Sequence, residues 1–329
     1  VIEVRNLSKR YGDRLAVDDL TFDLAPGEVT GFLGPNGSGK STTLAMIVGL
    51  VRPTAGAARV HGRSYRDIPA PVHEVGVLLD ARAAPGALRA RRYLACLARA
   101  GGVATHRVEE VIDMVGLGAV ADRRIGGFSL GMAQRLGIAA ALLGDPGTLL
   151  LDEPVNGLDP EGISWVRTLL RRLAGEGRTI VVSSHLMSEM EDTADRVVVV
   201  GRGRLLANAS VAEFTGSGLG GRVRVISPRA EELAALLRDA GAAVHRDGSG
   251  AVLVTGLSAA GVGDLAAARS IAVHELVQRR ASLEEAYLAA TRDAVEHRAA
   301  TGPGAVGPAA VPSAGSPAAV GIPDRGEER

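Results

Sequence analysis

At 329 residues, 46% of them hydrophobic, the chain can bury a full core and has room for two or three units. Its 37 lysines and arginines balance 37 aspartates and glutamates, so no global field draws it to nucleic acid or an anionic membrane, and no nucleic-acid partner is expected. A single cysteine, Cys96, excludes an internal disulfide or a zinc cluster, suits a reducing compartment and reads as a small core residue.

Residues 1–84 begin with short β-rich runs, Val1 to Leu7 and Leu20 to Leu24, and Val1-Ile2-Glu3-Val4-Arg5 carries no apolar signal core. Glu28 to Leu33 reads as a short buried strand. It runs into Gly34-Pro35-Asn36-Gly37-Ser38-Gly39-Lys40-Ser41-Thr42, and Ser41 to Leu50 reads as a helix. A loop of form G-x-x-x-x-G-K-[ST] brings backbone amides against phosphate oxygens, with lysine as a compact point charge and a hydroxyl for Mg²⁺. Lys40 is one of only two lysines in an arginine-rich chain, and arginine's planar fork is a poor substitute at such a site.

From residue 85 to 145 the pattern turns helical, with Leu94, Leu97, Val108, Val111, Ile112 and Val115 on apolar stripes. Phe128-Ser129-Leu130-Gly131-Met132-Ala133-Gln134-Arg135 sets a serine cap and a glycine before a long apolar helix. Residues 146–215 return to α/β character. The apolar run Leu149 to Leu151 ends in Asp152-Glu153, which suits a Mg²⁺ carboxylate followed by a water-activating base, or simply an acidic turn. Asn156-Gly157-Leu158-Asp159-Pro160 follows as a turn, Ile163 to Leu173 has helical spacing, and Thr179 to Ser183 is a strand leading to His185.

Gly216 to Gly221 reads as a linker. Beyond it, a strand Arg222 to Ile226, a helix Glu231 to Ala240, a hairpin about Asp247-Gly248, a helix near Leu265, a strand Ile271 to Val277 and a helix Ser282 to Thr291 outline a small α+β domain over 220–295. Residues 299–329, rich in Gly, Pro and Ala, are expected to be disordered. No run reaches the roughly 18 uncharged apolar residues that a membrane span requires.

Taken in order, the motifs resemble the ATP-binding cassette (ABC) ATPases, the nucleotide-binding subunits of ABC transporters, over roughly residues 1–215. The resemblance implies a P-loop α/β core over 1–84 and 146–215 with an antiparallel β flap, and a helical subdomain over 85–145. It makes Gly34, Asn36, Gly37, Gly39, Lys40, Ser41 and Thr42 the Walker A loop, Asp152 the end of Walker B, and Glu153 the catalytic base. Ser129 and Gly131 match the signature, Asn156 to Asp159 the D-loop, and His185 the switch histidine. Tyr11 is similar to the aromatic on which adenine stacks, and equally fits a surface tyrosine in a Tyr-Gly turn.

Family members bind two Mg-ATP in head-to-tail dimers, so Ser129 and Gly131 are expected to act on the partner subunit's nucleotide. Two motifs depart from the pattern. The signature has Leu130 and Met132 where the family has glycine and glutamine. Asp80 stands where the family carries a glutamine that links Mg²⁺ to the helical subdomain, and it serves either as an oxygen ligand or as a plain strand-end residue.

The implied function is ATP hydrolysis coupled to a separate integral membrane permease docked near residues 80–100, with the chain on the cytoplasmic face as a homodimer or beside a second ATP-binding subunit. The single cassette, the small C-terminal domain and Leu283-Glu284-Glu285-Ala286-Tyr287-Leu288 are similar to the multidrug and antibiotic exporter (ABC-2 type) subgroup. The alternatives are a soluble non-transport cassette ATPase, which usually carries tandem cassettes or basic surfaces, and a regulatory module with low turnover, at which only Asp80 hints.

Overall fold

The computed structural model describes residues 1–217, 222–248, 250–279, 282–288 and 290–291. The linker expected at 216–221 lies mostly outside them, and the tail expected at 299–329 wholly so. Strands β1 (Ile2–Tyr11) and β2 (Arg14–Leu24) form one long antiparallel hairpin with Tyr11 opposite Arg14. Ile2 and Val4 point inward, and a register shift after Val4 brings Leu7 back to the same buried face. β3 (Val29–Leu33) leads through the glycine-rich loop into α1 (Lys40–Ile47), and β4 (Ala55–Val60) returns to pair with β1 as the sheet β2-β1-β4. The helix stops short of the expected Leu50, because the amides of Gly49 and Leu50 turn back onto the carbonyls of Met46 and Ala45.

The next elements are α2 (Pro71–Glu74), β5 (Val75–Leu78), α3 (Ala90–Gly101), α4 (His106–Met114) and α5 (Leu130–Leu142). β6 (Thr148–Asp152), α6 (Pro160–Gly175), β7 (Thr179–Ser184), α7 (Met187–Glu191), β8 (Arg196–Gly201), β9 (Arg204–Ser210) and α8 (Val211–Ser217) follow. Six strands build a sheet in the order β5-β6-β7-β3-β8-β9, parallel except at its β9 edge. β3, β6 and β7 are buried along their whole length, which is why they read as near-continuous apolar runs. Leu33 pairs with Ser184 and Asp152 with Ser183, so the C-terminal ends of three adjacent strands lie side by side. In an open parallel sheet that edge is where ligands bind.

The helical stretch shares one buried cluster with a face of this sheet: Leu94, Val108, Val111, Ile112 and Val115 pack with Leu149, Leu151 and Val182, and Leu97 is half-buried against them. Cys96 corrects the sequence reading, for it is exposed. Buried positions on α3 are Ala90, Leu94 and Ala98. A residue two places from Leu94 and Ala98 falls on the opposite side of the helix, about 200° round.

β10 (Arg222–Ile226), α9 (Ala230–Asp239), β11 (Ala243–Arg246), β12 (Val252–Thr255), α10 (Ala259–Ala268) and β13 (Glu275–Arg279) form an antiparallel sheet β11-β12-β10-β13 with two helices and a core of its own, in which Val223, Val225, Leu233, Leu237, Val252 and Val254 are fully buried. The strand expected from Ile271 starts at Glu275. Residues 271–274 are used to close α10, with the Ile271 amide on the Ala266 carbonyl and the Ser227 hydroxyl on the Ala272 carbonyl, and pairing begins when the His274 amide meets Ile226. Residues 283–288 are helical, with Leu283 and Ala286 buried in the large cluster that also holds Met187 and Met190 of α7. Among the described residues no helix is long and apolar enough to cross a membrane.

Candidate active site

The site is built at the strand ends. Between β3 and α1 the loop wraps so tightly that a Cβ on Gly39, whose φ is +104°, would lie 2.7 Å from the Ala16 carbonyl oxygen. Only glycine fits there. The amides of Gly39, Lys40 and Ser41 meet no protein acceptor among the described residues. Free amides in the first turn of a helix form an anion cradle, so the loop fits a phosphate group.

Lys40 is 5% exposed, and its Nζ donates to the carbonyls of Gly34 at 2.7 Å and Pro35 at 3.3 Å. Burial holds its pKa below the ordinary lysine value, against the opposing pull of Glu153 and Asp152. Glu153 Oε1 stands 3.8 Å from the ammonium.

Glu153 is fixed at every polar atom. Its amide donates to Ser183 Oγ at 3.0 Å, and Ser183 Oγ in turn donates a short hydrogen bond to Asp152 Oδ1. Its carbonyl accepts from Gln134 Nε2 at 3.0 Å. His185 Nδ1 lies 2.8 Å from Oε2. A carboxylate only accepts, so Nδ1 carries the imidazole proton in this pair. The residue also has φ +49°, a left-handed conformation that costs a non-glycine residue about 1–2 kcal/mol and persists only where its surroundings enforce it.

A cavity of about 450 Å³ is lined by Tyr11, Asn36, Gly37, Gly39, Lys40, Ser41, Thr42 and Glu153 together with Arg14 and Ala16. Tyr11 is exposed at the tip of the first hairpin, with Lys9 Nζ 4.9 Å above its ring. Gly34, just past the end of β3, and Asp152 are both buried and do not line the cavity. Among the described residues no cluster of three or more His, Cys, Asp or Glu could hold a metal alone. Mg²⁺ takes one or two protein oxygens and leaves its other positions to water and phosphate, and the donor oxygens here are the Ser41 hydroxyl in the cavity lining and the Asp152 carboxylate at the end of β6.

The remaining expected residues lie apart. Ser129 caps α5 by accepting from the Met132 amide at 3.2 Å, and Asp159 caps α6 by accepting from the Gly162 amide at 2.8 Å. Gly131 lies against Leu158 of the 156–159 turn. Asp80 is exposed, and its Oδ1 accepts from the Arg82 amide at 2.8 Å in a turn of its own. None of the four lines the Lys40 cavity.

Sequence reasoning missed Ser183, Gln134 and Arg14. A serine two residues before His185, at the end of the apolar run Ile180 to Val182, and a glutamine on an apolar helix were the available signals for the first two. Nothing in the sequence marks Arg14, which reaches the loop only because the hairpin folds over it.

A family model for ABC transporters matches residues 17–156, and one for a domain of unknown function matches residues 221–284. The bacitracin transport ATP-binding protein BcrA of Enterococcus faecalis is 40% identical over 65% of this chain and 70% of its own length. The daunorubicin/doxorubicin resistance ATP-binding protein DrrA of Streptomyces peucetius is 34% identical over 90% of this chain and 94% of its own. A solved ATP binding subunit of an ABC transporter aligns with a TM-score of 0.58 at 28% identity, covering 66% of this chain and 92% of that one. A dimeric bacterial ABC transporter cassette aligns at 0.59 and 25% identity, covering 64% and 98%. Likeness that runs through the cassette and on into the segment after it shows the family: the chain belongs to the ATP-binding subunits of ABC transporters.

Proposed function

We propose that the chain binds Mg-ATP over Lys40, hydrolyses it with Glu153 as general base, and thereby drives a separate integral membrane permease from the cytoplasmic face of the membrane. The observation that carries this reading is the restraint on Glu153, whose amide, carbonyl and both carboxylate oxygens all meet partners beside the phosphate loop. A carboxylate oriented in this way accepts the proton of an attacking water, and His185 holds it in place. The Ser41 hydroxyl and the Asp152 carboxylate would hold Mg²⁺, which when bound offsets phosphate charge. Tyr11 offers its ring face to adenine, and Asp80 is a turn residue that leaves Mg²⁺ to the other two ligands.

Ser129, Gly131 and Asp159 face the nucleotide of a second subunit in a head-to-tail dimer, either an identical chain or another ATP-binding protein. In this reading residues 1–84 and 146–215 form the ATPase core, 85–145 the permease-facing helical subdomain, and 220–295 a small domain that supports the dimer. Relatives named for bacitracin, lantibiotic and daunorubicin/doxorubicin transport or resistance support export of an antibiotic or similar hydrophobic compound.

The test is ATP turnover alongside binding of a fluorescent ATP analogue. Lys40→Ala is expected to weaken binding by about tenfold or more, a loss near 1.4 kcal/mol. Glu153→Gln should keep the affinity and lose turnover. Wild-type turnover in Glu153→Gln would reject Glu153 as the base.

A further inference from the structure

Gln134 is the one strongly buried polar side chain on α5, at 5% exposure among Ala133, Leu136, Ile138 and Ala139. Burying an amide is unfavourable unless its atoms find partners. Its Nε2 donates to the Glu153 carbonyl at 3.0 Å and to the Asn156 carbonyl at 3.3 Å. Two carbonyls facing one end of the amide fix its orientation, since an oxygen there would oppose two acceptors. The other end, Oε1, is buried without a partner. An apolar side chain of the same length would avoid that unsatisfied oxygen. The two bonds that Nε2 makes therefore account for a glutamine at this position, the one to Glu153 adding a donor from α5 to a carbonyl that also accepts from the Asn156 amide at 3.2 Å.

Those bonds join α5 to the base. The same face of α5 closes on the 156–159 turn through packing as well. Gly157 has φ +75°, and a Cβ there would lie 2.2 Å from Leu130 Cδ2, while one on Gly131 would lie 3.2 Å from Leu158 Cδ2. Leu130, one of the departures from the signature pattern, is accordingly an intramolecular contact. The first turns of α5 and residues 153–158 make one packed body, and Gln134 supplies its polar link.

We propose that Gln134 is a positioning residue: its amide holds Glu153 in the left-handed conformation that aims the carboxylate, and ties that aim to α5. This rests on Glu153 being the base. Because the N-terminus of α5 would meet the partner subunit's nucleotide, the link lets closure of one composite site set the base of the other.

The decisive comparison uses the full chain with Gln134→Met, Gln134→Glu and Glu153→Gln, measuring kcat, KM, ATP-analogue affinity and melting temperature. Gln134→Met keeps length and loses both donors. Its kcat should fall by about tenfold or more, with KM and affinity close to wild type and a melting temperature lowered only modestly, since the Glu153 carbonyl keeps the Asn156 amide when the two donors are lost. Gln134→Glu should also be slow. Its kcat relative to wild type should recover as pH is lowered, because burial raises the pKa of a carboxyl and the protonated form regains one donor. The pH response reports on the link even if the methionine variant folds poorly. A kcat within about twofold of wild type in Gln134→Met, or a joint fall of kcat, affinity and melting temperature with no pH recovery in Gln134→Glu, would overturn the proposal. If Glu153→Gln itself turns over normally, the base assignment fails and the proposal with it; if Glu153→Gln is inactive and Gln134→Met is normal, the link alone fails.

Discussion

Ser183 Oγ touches both acidic residues at the end of β6, accepting from the Glu153 amide and donating to the Asp152 carboxylate. Ser183→Ala leaves a buried amide and a buried carboxylate oxygen short of a partner, so it should destabilise the chain by about 1–3 kcal/mol. Ser183→Thr should restore most of that loss. Urea midpoints measure both, and an unchanged midpoint for the alanine variant would show the hydroxyl to be dispensable. Glu189, one turn past His185, carries a different signature. Burial raises its pKa above the ordinary 4.5, and the Glu153 carboxylate adds to the rise against His185 and Arg167. A raised carboxyl makes the folded state hold its proton longer, so its contribution is present below pH 4.5 and is lost as pH climbs through the folded value. Glu189→Gln should therefore raise the urea midpoint at neutral pH and leave it unchanged below the ordinary value. An equal shift at both pH values would contradict the electrostatic cause. Single residues were unevenly legible from sequence. Lys40 sits in a phosphate-loop spacing and Asp152-Glu153 at the end of an apolar run, both visible in the sequence, whereas Ser183 and Gln134 meet their partners through a strand register and a helix face that exist only after folding.

At the scale of elements, the docking of residues 283–288 ties the far end of the described chain to the segment that follows His185. Ser282 and Glu285 cap that turn reciprocally at 3.1 Å each way, and the Glu191 carboxylate at the end of α7 also accepts from the Leu283 amide. Leu283 is fully buried, in the cluster that contains Met187 and Met190. Leu283→Ala should cost about 2–5 kcal/mol, the usual range for emptying such a site. A change below about 0.5 kcal/mol, typical of surface substitutions, would mean the helix does not stay docked. The helix start was readable from Ser282, but its seat was not, because short α7 has no periodicity long enough to announce an exposed apolar face. The late start of β13 and the outward Cys96 have similar origins: backbone hydrogen bonds claimed residues 271–274 for a turn, and helix phase turned the thiol to solvent.

The whole molecule sets Lys40, Glu153 and His185 at one strand edge and Ser129 and Gly131 at the start of another helix, outside the cavity that Lys40 and Glu153 line. In the proposed reading one chain holds two incomplete halves of the site, which a head-to-tail pairing would complete. The order of motifs along the chain made the family legible, since each strand end could be assigned a role before any geometry was known. Their placement relative to one another was not, because it depends on the strand order β6-β7-β3, which no local pattern encodes. The most direct measurement is the mass in solution, by light scattering, of Glu153→Gln with and without saturating Mg-ATP. A particle that doubles in mass only with nucleotide, and reverts when Ser129→Arg blocks the α5 N-terminus, is the expected result. A Glu153→Gln chain that binds ATP and stays monomeric would contradict the composite site.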